Sequence, residues 1–495
     1  MRLHRCSVGV VTLSFAALAG CGDGSASGSN GAAGSGTGPS AGAGGFSAAG
    51  ASPGGSPAAA GSGVASAGIS SGGSSSAGAA GTANAAGAAG SSVGNAGAPG
   101  AGSGNGGSSG STGTGPLVWP NEQSSKNGDA WLRDHHDQIT ELRPRVLLVN
   151  FDPTSTFQKV QDKAKAIAAA IAFGSKYHGY SKPDAPAFVN YQIAHAVDLH
   201  GQATRKNGGF GYGEFMTDQA FADKVGFKAP GGTTNLTVCQ MFEQGYINEV
   251  WVGEQNDDSA KLYEGLARAQ VYDDDLQPKA GQFDDCAGNG CVNGFTCGVT
   301  VRLGEINPTR GPGCGLHAYG HAFEGAVKRN QIPYLRKNAA RFFQFDLKAR
   351  YGAPFDDFYV CPYNTAVCID FQSSTHLVNG PALTGKTFDI QNYGAGCGNV
   401  HFAPHSRYQY DYEGPDGNAG RATCEGYGLG AGAGGADVSV DISYATYKSY
   451  NQNSAYNDCG GGWQEYMRQS FPGYGNQAKD VDGAPMKNWW PFMFY

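Results

Sequence analysis

From Leu117 to the C-terminus, apolar positions recur in runs whose lengths and periods predict an α/β order. Arg145–Phe151 (RVLLVNF) is a short, nearly continuous apolar run, which predicts a buried strand ended by Asp152-Pro153-Thr154. Ser155–Phe173 places Phe157, Val160, Ala164, Ile167 and Ile171 on one face at helical spacing. Phe188–Val197 alternates through Val189, Tyr191 and Ile193, which predicts a strand. Thr237–Gln244 reads as a short helix, Ile247–Val252 and Gly298–Leu303 as strands, and His317–Arg329 and Leu335–Tyr351 as helices. Strands and helices thus take turns, which predicts a mainly parallel sheet core with helices on its faces over residues 117–351. From residue 352 to 495, Gly, Tyr, Asn and Cys are frequent and long periodic segments stop. That change predicts an irregular, disulfide-stapled part packed on the core. The tail Asn488–Tyr495 (NWWPFMFY) is too aromatic to be left in water and is expected to dock into the core.

Residues 22–116 follow another rule. They are almost entirely Gly, Ala, Ser, Thr, Asn and Pro, with one charge, Asp23, and one aromatic, Phe46. Such a stretch buries too little apolar surface to offset the entropy of ordering it. It is expected to be a disordered tether with a reach on the order of 50 Å. Its G-x-S-x-G matches, Gly90–Gly94 and Gly106–Gly110 among them, are chance products of a Gly/Ser tract.

Ahead of the tether, Arg2 and Arg5 precede an apolar stretch, Val8–Ala19, too short to span a bilayer. Leu18-Ala19-Gly20-Cys21 then resembles the lipobox of bacterial lipoproteins. The resemblance implies a signal peptide over residues 1–20, removal before Cys21, and acyl chains on Cys21 as the mature N-terminus. It further implies a membrane as partner through that lipid anchor, and a domain held in the cell envelope outside the cytoplasm. An ordinary cleaved signal with a chance cysteine is the competing reading.

Charge and cysteines narrow the classes. The formal net charge is −7, and no run of Lys and Arg offers a phosphate-binding face, so nucleic acid is excluded as a partner. Of 12 cysteines, those after Cys6 and Cys21 are Cys239, Cys286, Cys291, Cys297, Cys314, Cys361, Cys368, Cys397, Cys424 and Cys459. An even set in an exported domain points to disulfides, with connectivity open. Cys361–Cys368 is a plausible local bridge. Cys286, Cys291 and Cys297 crowd one loop, but no C-x-x-C pair supports a zinc knot there.

In parallel α/β sheets, ligands sit beyond the C-terminal strand ends. That rule selects Asn150 and Asp152, Gly253 and Glu254, and Gly304, Glu305 and Asn307. The last group leads through the loop Thr309–Gly315 to a helix carrying His317, His321 and Glu324. Their i, i+4, i+7 spacing sets three metal-ligating side chains on one stripe. His321-Ala322-Phe323-Glu324 is an H-x-x-E pair and resembles the ligand pair of zinc carboxypeptidases. That resemblance implies a zinc ion held by His321, Glu324 and a distant histidine. His401 is the candidate, with His317 as ligand or supporting partner and His405 close by. Glu305 is the candidate general base. Gly320 weakens the helix, and the missing H-E-x-x-H excludes a zincin. The competing reading is a core histidine pair with Glu324 on a solvated face.

Other clusters are weighed beside it. Arg133-Asp134-His135-His136-Asp137 reads as an exposed helix face, and Asp257-Asp258, Asp273–Asp275 and Asp284-Asp285 as solvated loops without EF-hand spacing. Gly209–Gly213 does not fit the dinucleotide fingerprint. The function expected is a tethered, secreted, metal-dependent hydrolase acting on extracellular polymer, peptide or polysaccharide. Two alternatives remain: a glycoside hydrolase using Glu254 and Glu305 as its carboxylate pair, and a non-catalytic carbohydrate binder using Trp463, Tyr466, Trp489 and Trp490 as stacking platforms.

Overall fold

The computed structural model of the chain describes residues 115–200, 212–254, 267–287, 297–344, 347–353, 367–383, 385–415, 417–450 and 458–495. The lipobox with Cys21, the tether up to Thr114, Gly209-Phe210-Gly211, Asp257-Asp258, Cys291 and Cys361 lie outside the described residues.

Strands β1 (Arg145–Asn150), β2 (Gln192–Asp198), β3 (Glu249–Gly253), β4 (Ala267–Tyr272), β5 (Pro278–Ala287) and β6 (Val301–Ile306) form one sheet in the order β2-β1-β3-β6-β4-β5. Neighbours among β2, β1, β3 and β6 are parallel; β4 and β5 extend the sheet antiparallel. Side chains alternate across a strand. Val146 and Leu148, with Trp251 and Ile306, therefore join a core on one face with α1 (Phe157–Gly174) and α3 (Pro312–Lys328). Leu147, Val149, Val250, Val252 and Leu303 join a second core on the other face with α2 (Val238–Glu243). Both faces are covered, as the uninterrupted apolar strands require. The fold class is α/β with a mainly parallel sheet.

Local signals set the helix ends. Thr156 caps α1 by accepting the Lys159 N–H at 3.3 Å, and Thr237 and Gln240 form a reciprocal capping box on α2. Helix α3 opens at Pro312, inside the stretch expected to be loop, because proline's fixed φ suits the first helical position. It has no local side-chain cap; the distant Asp458 carboxylate accepts the Gly311 N–H instead. The single helix expected over Leu335–Tyr351 is two, α4 (Pro333–Phe342) and a short turn at Leu347–Tyr351. Gln344 adopts a left-handed φ of 62° between them, which a continuous helix forbids. Strand β6 runs to Ile306, so Glu305 lies within a strand rather than beyond its end.

The C-terminal part is more regular than its composition suggests. It holds an antiparallel pair, Ala419–Gly426 with Val438–Ser443, and helix α5 (Gly461–Gln469), buried throughout its length. One core cluster runs from Trp119 through α1 and α3 to Tyr495, so this part shares the core of the sheet. Cys397–Cys424 staples it internally and Cys314–Cys459 ties it to α3, while Cys239–Cys297 lies within the α/β core; Cys286 and Cys368 are disulfide-bonded as well. The bridge expected at Cys361–Cys368 falls on a residue outside the described set.

The tail docks as expected: Trp489, Trp490, Phe492, Met493, Phe494 and Tyr495 are at most 3% exposed. Its anchor corrects the reading of Arg133–Asp137 as a solvated face at His136, while Asp134 and Asp137 are exposed. His136 is buried, with Nε2 2.6 Å from the Asn488 carbonyl and Nδ1 2.5 Å from the Tyr495 hydroxyl. A carbonyl only accepts, so Nε2 carries the proton and Nδ1 accepts from Tyr495. Asp284 and Asp285 lie in β5, paired with Arg329 and Arg268, rather than in a loop. Among the described residues no helix is long and apolar enough to cross a membrane.

Candidate metal centre

Helix α3 is buried on nearly every side, so side chains on any of its faces meet protein. His317 and His321 are one turn apart on it, with their Nε2 atoms 3.1 Å from each other. His401 arrives from a loop of the C-terminal part. Its ring stacks on that of His317 at 5.0 Å and stands edge-on to that of His321 at 4.8 Å. One ligating atom from each of the three lies within 4.8 Å of the others. All three are buried, at 3–4% exposure.

The loop carrying His401 is held from several directions. Glu324 Oε1 accepts the Val400 N–H at 2.6 Å; Gln464 and Tyr412 both donate to the Val400 carbonyl at 2.7 Å. Trp463 Nε1 donates to the Asn399 carbonyl at 3.0 Å, and the Asn399 side chain accepts the His401 N–H at 2.9 Å. Gly398 turns the chain with φ 80°, where a Cβ would sit 2.2 Å from the Phe402 carbonyl oxygen. Gly320 serves the same approach from the helix side. A Cβ there would lie 2.6 Å from Val400 Cγ2 and 2.9 Å from Arg468 Nη2. The glycine that weakens the helix on paper is what admits the loop.

Glu324 is placed differently from the expectation of a metal ligand. With Oε1 on the Val400 amide, its Oε2 lies 3.4 Å from His321 Nδ1. A carboxylate there favours the proton on Nδ1 and leaves the Nε2 lone pair facing His317, the arrangement seen behind metal-bound imidazoles. The H-x-x-E pair therefore contributes one imidazole to the cluster and one carboxylate behind it, and His317 supplies what the carboxypeptidase resemblance assigns to the glutamate. Ala318 follows His317, so the helix carries no carboxylate where an H-E-x-x-H helix has its general base.

Burial, reinforced by the neighbouring His321, holds the His317 imidazole well below the ordinary histidine pKa, while the Cys459 backbone opposes the shift. Burial, with His321 and His317 adding to it, does the same to His401. Both rings are neutral at neutral pH, the form in which imidazole binds metal. The cation accompanying Glu324 is Arg468, 1% exposed, which donates to the carbonyls of Leu316 and Gln464. Burial pushes its guanidinium down to about 10 against the attraction of Tyr319, Glu465 and Glu324.

Tyr410 went unnoticed in the sequence. Its hydroxyl lies 3.1 Å from His401 Nε2, its N–H donates to the His401 carbonyl at 2.9 Å, and the residue as a whole is 39% exposed. Only its place in a Tyr-rich run, Tyr408-Gln409-Tyr410-Asp411-Tyr412, hints at a role.

The remaining candidates go elsewhere. Register pairs Glu305, inside β6, with Val252, two residues before Glu254, which lies just past the end of β3; Glu305 borders a small cavity with Glu249, Arg302 and Tyr319. Asn150 accepts the Asp152 N–H at 3.0 Å and donates across to Asp198 of β2 at 2.9 Å, and Asp152 accepts the Thr154 N–H at 2.9 Å, so both build the turn after β1. His405 is fully buried away from the three-imidazole group, beside Gly414 and Tyr447. Cys314, Asp458 and Cys459 also cluster, but Cys314 and Cys459 are joined as a disulfide. The aromatics expected as stacking platforms are core: Trp463, Tyr466, Trp489 and Trp490 are at most 1% exposed. No protein-family model matches the chain, and no curated protein matches it.

Proposed function

We propose that the globular part is a metal-dependent hydrolase, held at the cell envelope by lipid on Cys21 and working on polymer outside the cytoplasm. The observation that carries the metal reading is the meeting of three buried imidazoles, His317, His321 and His401, with Glu324 behind one of them. Three histidines are a donor set suited to zinc. A bound zinc would lower the pKa of a coordinated water toward ~7 and polarise a scissile carbonyl. The chain's own residues have separate tasks. His317, His321 and His401 hold the ion; Glu324 fixes the tautomer of His321; the Tyr410 hydroxyl, on the exposed side, can hydrogen-bond a substrate oxygen. Disulfides between distant segments suit an exported domain.

The test is a hydrolysis screen on peptide and polysaccharide substrates with the purified chain, before and after chelation and after zinc is restored. Activity lost on chelation and regained with zinc supports the reading. Activity indifferent to chelation would return attention to the neighbouring carboxylates of Glu254 and Glu305.

A further inference from the structure

We propose that Tyr410 is a fourth ligand of the metal, its phenol oxygen closing the site until a substrate displaces it; this rests on the metal reading of the three histidines. Four ligands around zinc at roughly 2.0–2.1 Å form a tetrahedron whose edges are roughly 3.3 Å. The His317–His321 separation, Nε2 to Nε2, is 3.1 Å, and the separation of the Tyr410 hydroxyl from His401 Nε2 is also 3.1 Å. Both separations are close to what one shared ion requires. The Tyr410 ring lies over the group, 4.5 Å from that of His401 and stacked on that of His317 at 5.7 Å.

Two further features suit a displaceable ligand. Tyr410 has a left-handed φ of 68°, a backbone state that costs a non-glycine residue free energy and persists where surroundings enforce it. Its exposure of 39% contrasts with 3–4% for the three histidines, so it stands between the buried imidazoles and solvent. Bound to the ion, the phenol would give its proton to solvent; displaced by a substrate oxygen, it would take a proton back and its hydroxyl would be a donor beside the reacting group.

Copper(II) is the probe, because zinc is spectroscopically silent and imidazole sites accept copper. The full chain is stripped with chelator and loaded with one equivalent of copper(II). A phenolate-to-copper charge-transfer band in the visible is expected, absent from Tyr410→Phe at the same copper stoichiometry. Copper bound without that band in the wild type overturns the proposal and leaves the three-histidine reading standing. A band that survives in Tyr410→Phe also overturns it. No copper bound overturns both.

Discussion

Glu324 Oε2 lies 3.4 Å from His321 Nδ1, while its other oxygen holds the backbone N–H of Val400, the residue before His401. One carboxylate thus sets the proton of one imidazole and the position of the loop bearing another. Removing such a partner behind a metal-bound histidine typically costs 10–100-fold in affinity. Glu324→Gln is expected to leave the chain folded and to weaken zinc binding by a factor on the order of ten or more. A competition titration against a chromophoric chelator measures this; unchanged affinity would remove Glu324 from the site.

Gly320 is expected to tolerate no side chain. In Gly320→Ala the new methyl would sit 2.6 Å from Val400 Cγ2 and 2.9 Å from Arg468 Nη2, both in a packed interior. Overpacking of this kind costs about 1–3 kcal/mol. The variant should melt lower and bind metal more weakly together, since the methyl displaces the loop carrying His401. A gain in stability, as alanine gives at open helix positions, would contradict the close approach.

How much of this was legible in the sequence follows from what each signal depends on. The strand at Arg145–Asn150 and the helix at Phe157–Gly174 were readable because apolar period and caps are local. The start of the histidine helix was misplaced because Gly and Pro read as loop, although Pro312 suits a first turn. His321 and His401 were named from residue type, but the role of Glu324 was not, since only the fold brings Val400 against it. Tyr410 gave no periodic or motif signal, and His136 looked exposed because its partners, Asn488 and Tyr495, lie at the other end of the chain.

His136 makes stability depend on pH. Burial holds its pKa near about 4 against an ordinary 6.5; Asp137 opposes the shift and Lys487 adds to it. Above 6.5 the ring is neutral in both folded and unfolded chains, and its contribution is full. As pH falls from 6.5 toward about 4, the unfolded chain takes a proton that the folded ring refuses, so stability is lost, by roughly 3 kcal/mol in all. His405, also held near about 4 by burial, adds a loss of the same sign. Denaturant melts across that window should show the decline, and His136→Gln, which cannot titrate, should show a shallower one. An equal slope in the variant would place the pH dependence elsewhere.

Attachment is expected to hang on Cys21. In Cys21→Ser the acyl acceptor is gone, and the chain should move from the membrane pellet to the soluble fraction. Fractionation of envelope membranes reads this directly. A variant that still pellets like the wild type would show that lipid on Cys21 is not the anchor.

The central claim is that His317, His321 and His401 hold one metal ion. Elemental analysis of the full chain, loaded with zinc and freed of excess, tests it most directly beside the His317→Ala, His321→Ala, His401→Ala triple variant, with circular dichroism to establish that both are folded. The expected result is close to one zinc per wild-type chain and almost none in the folded triple variant. A wild-type chain without zinc, or a triple variant that retains it, would contradict the claim.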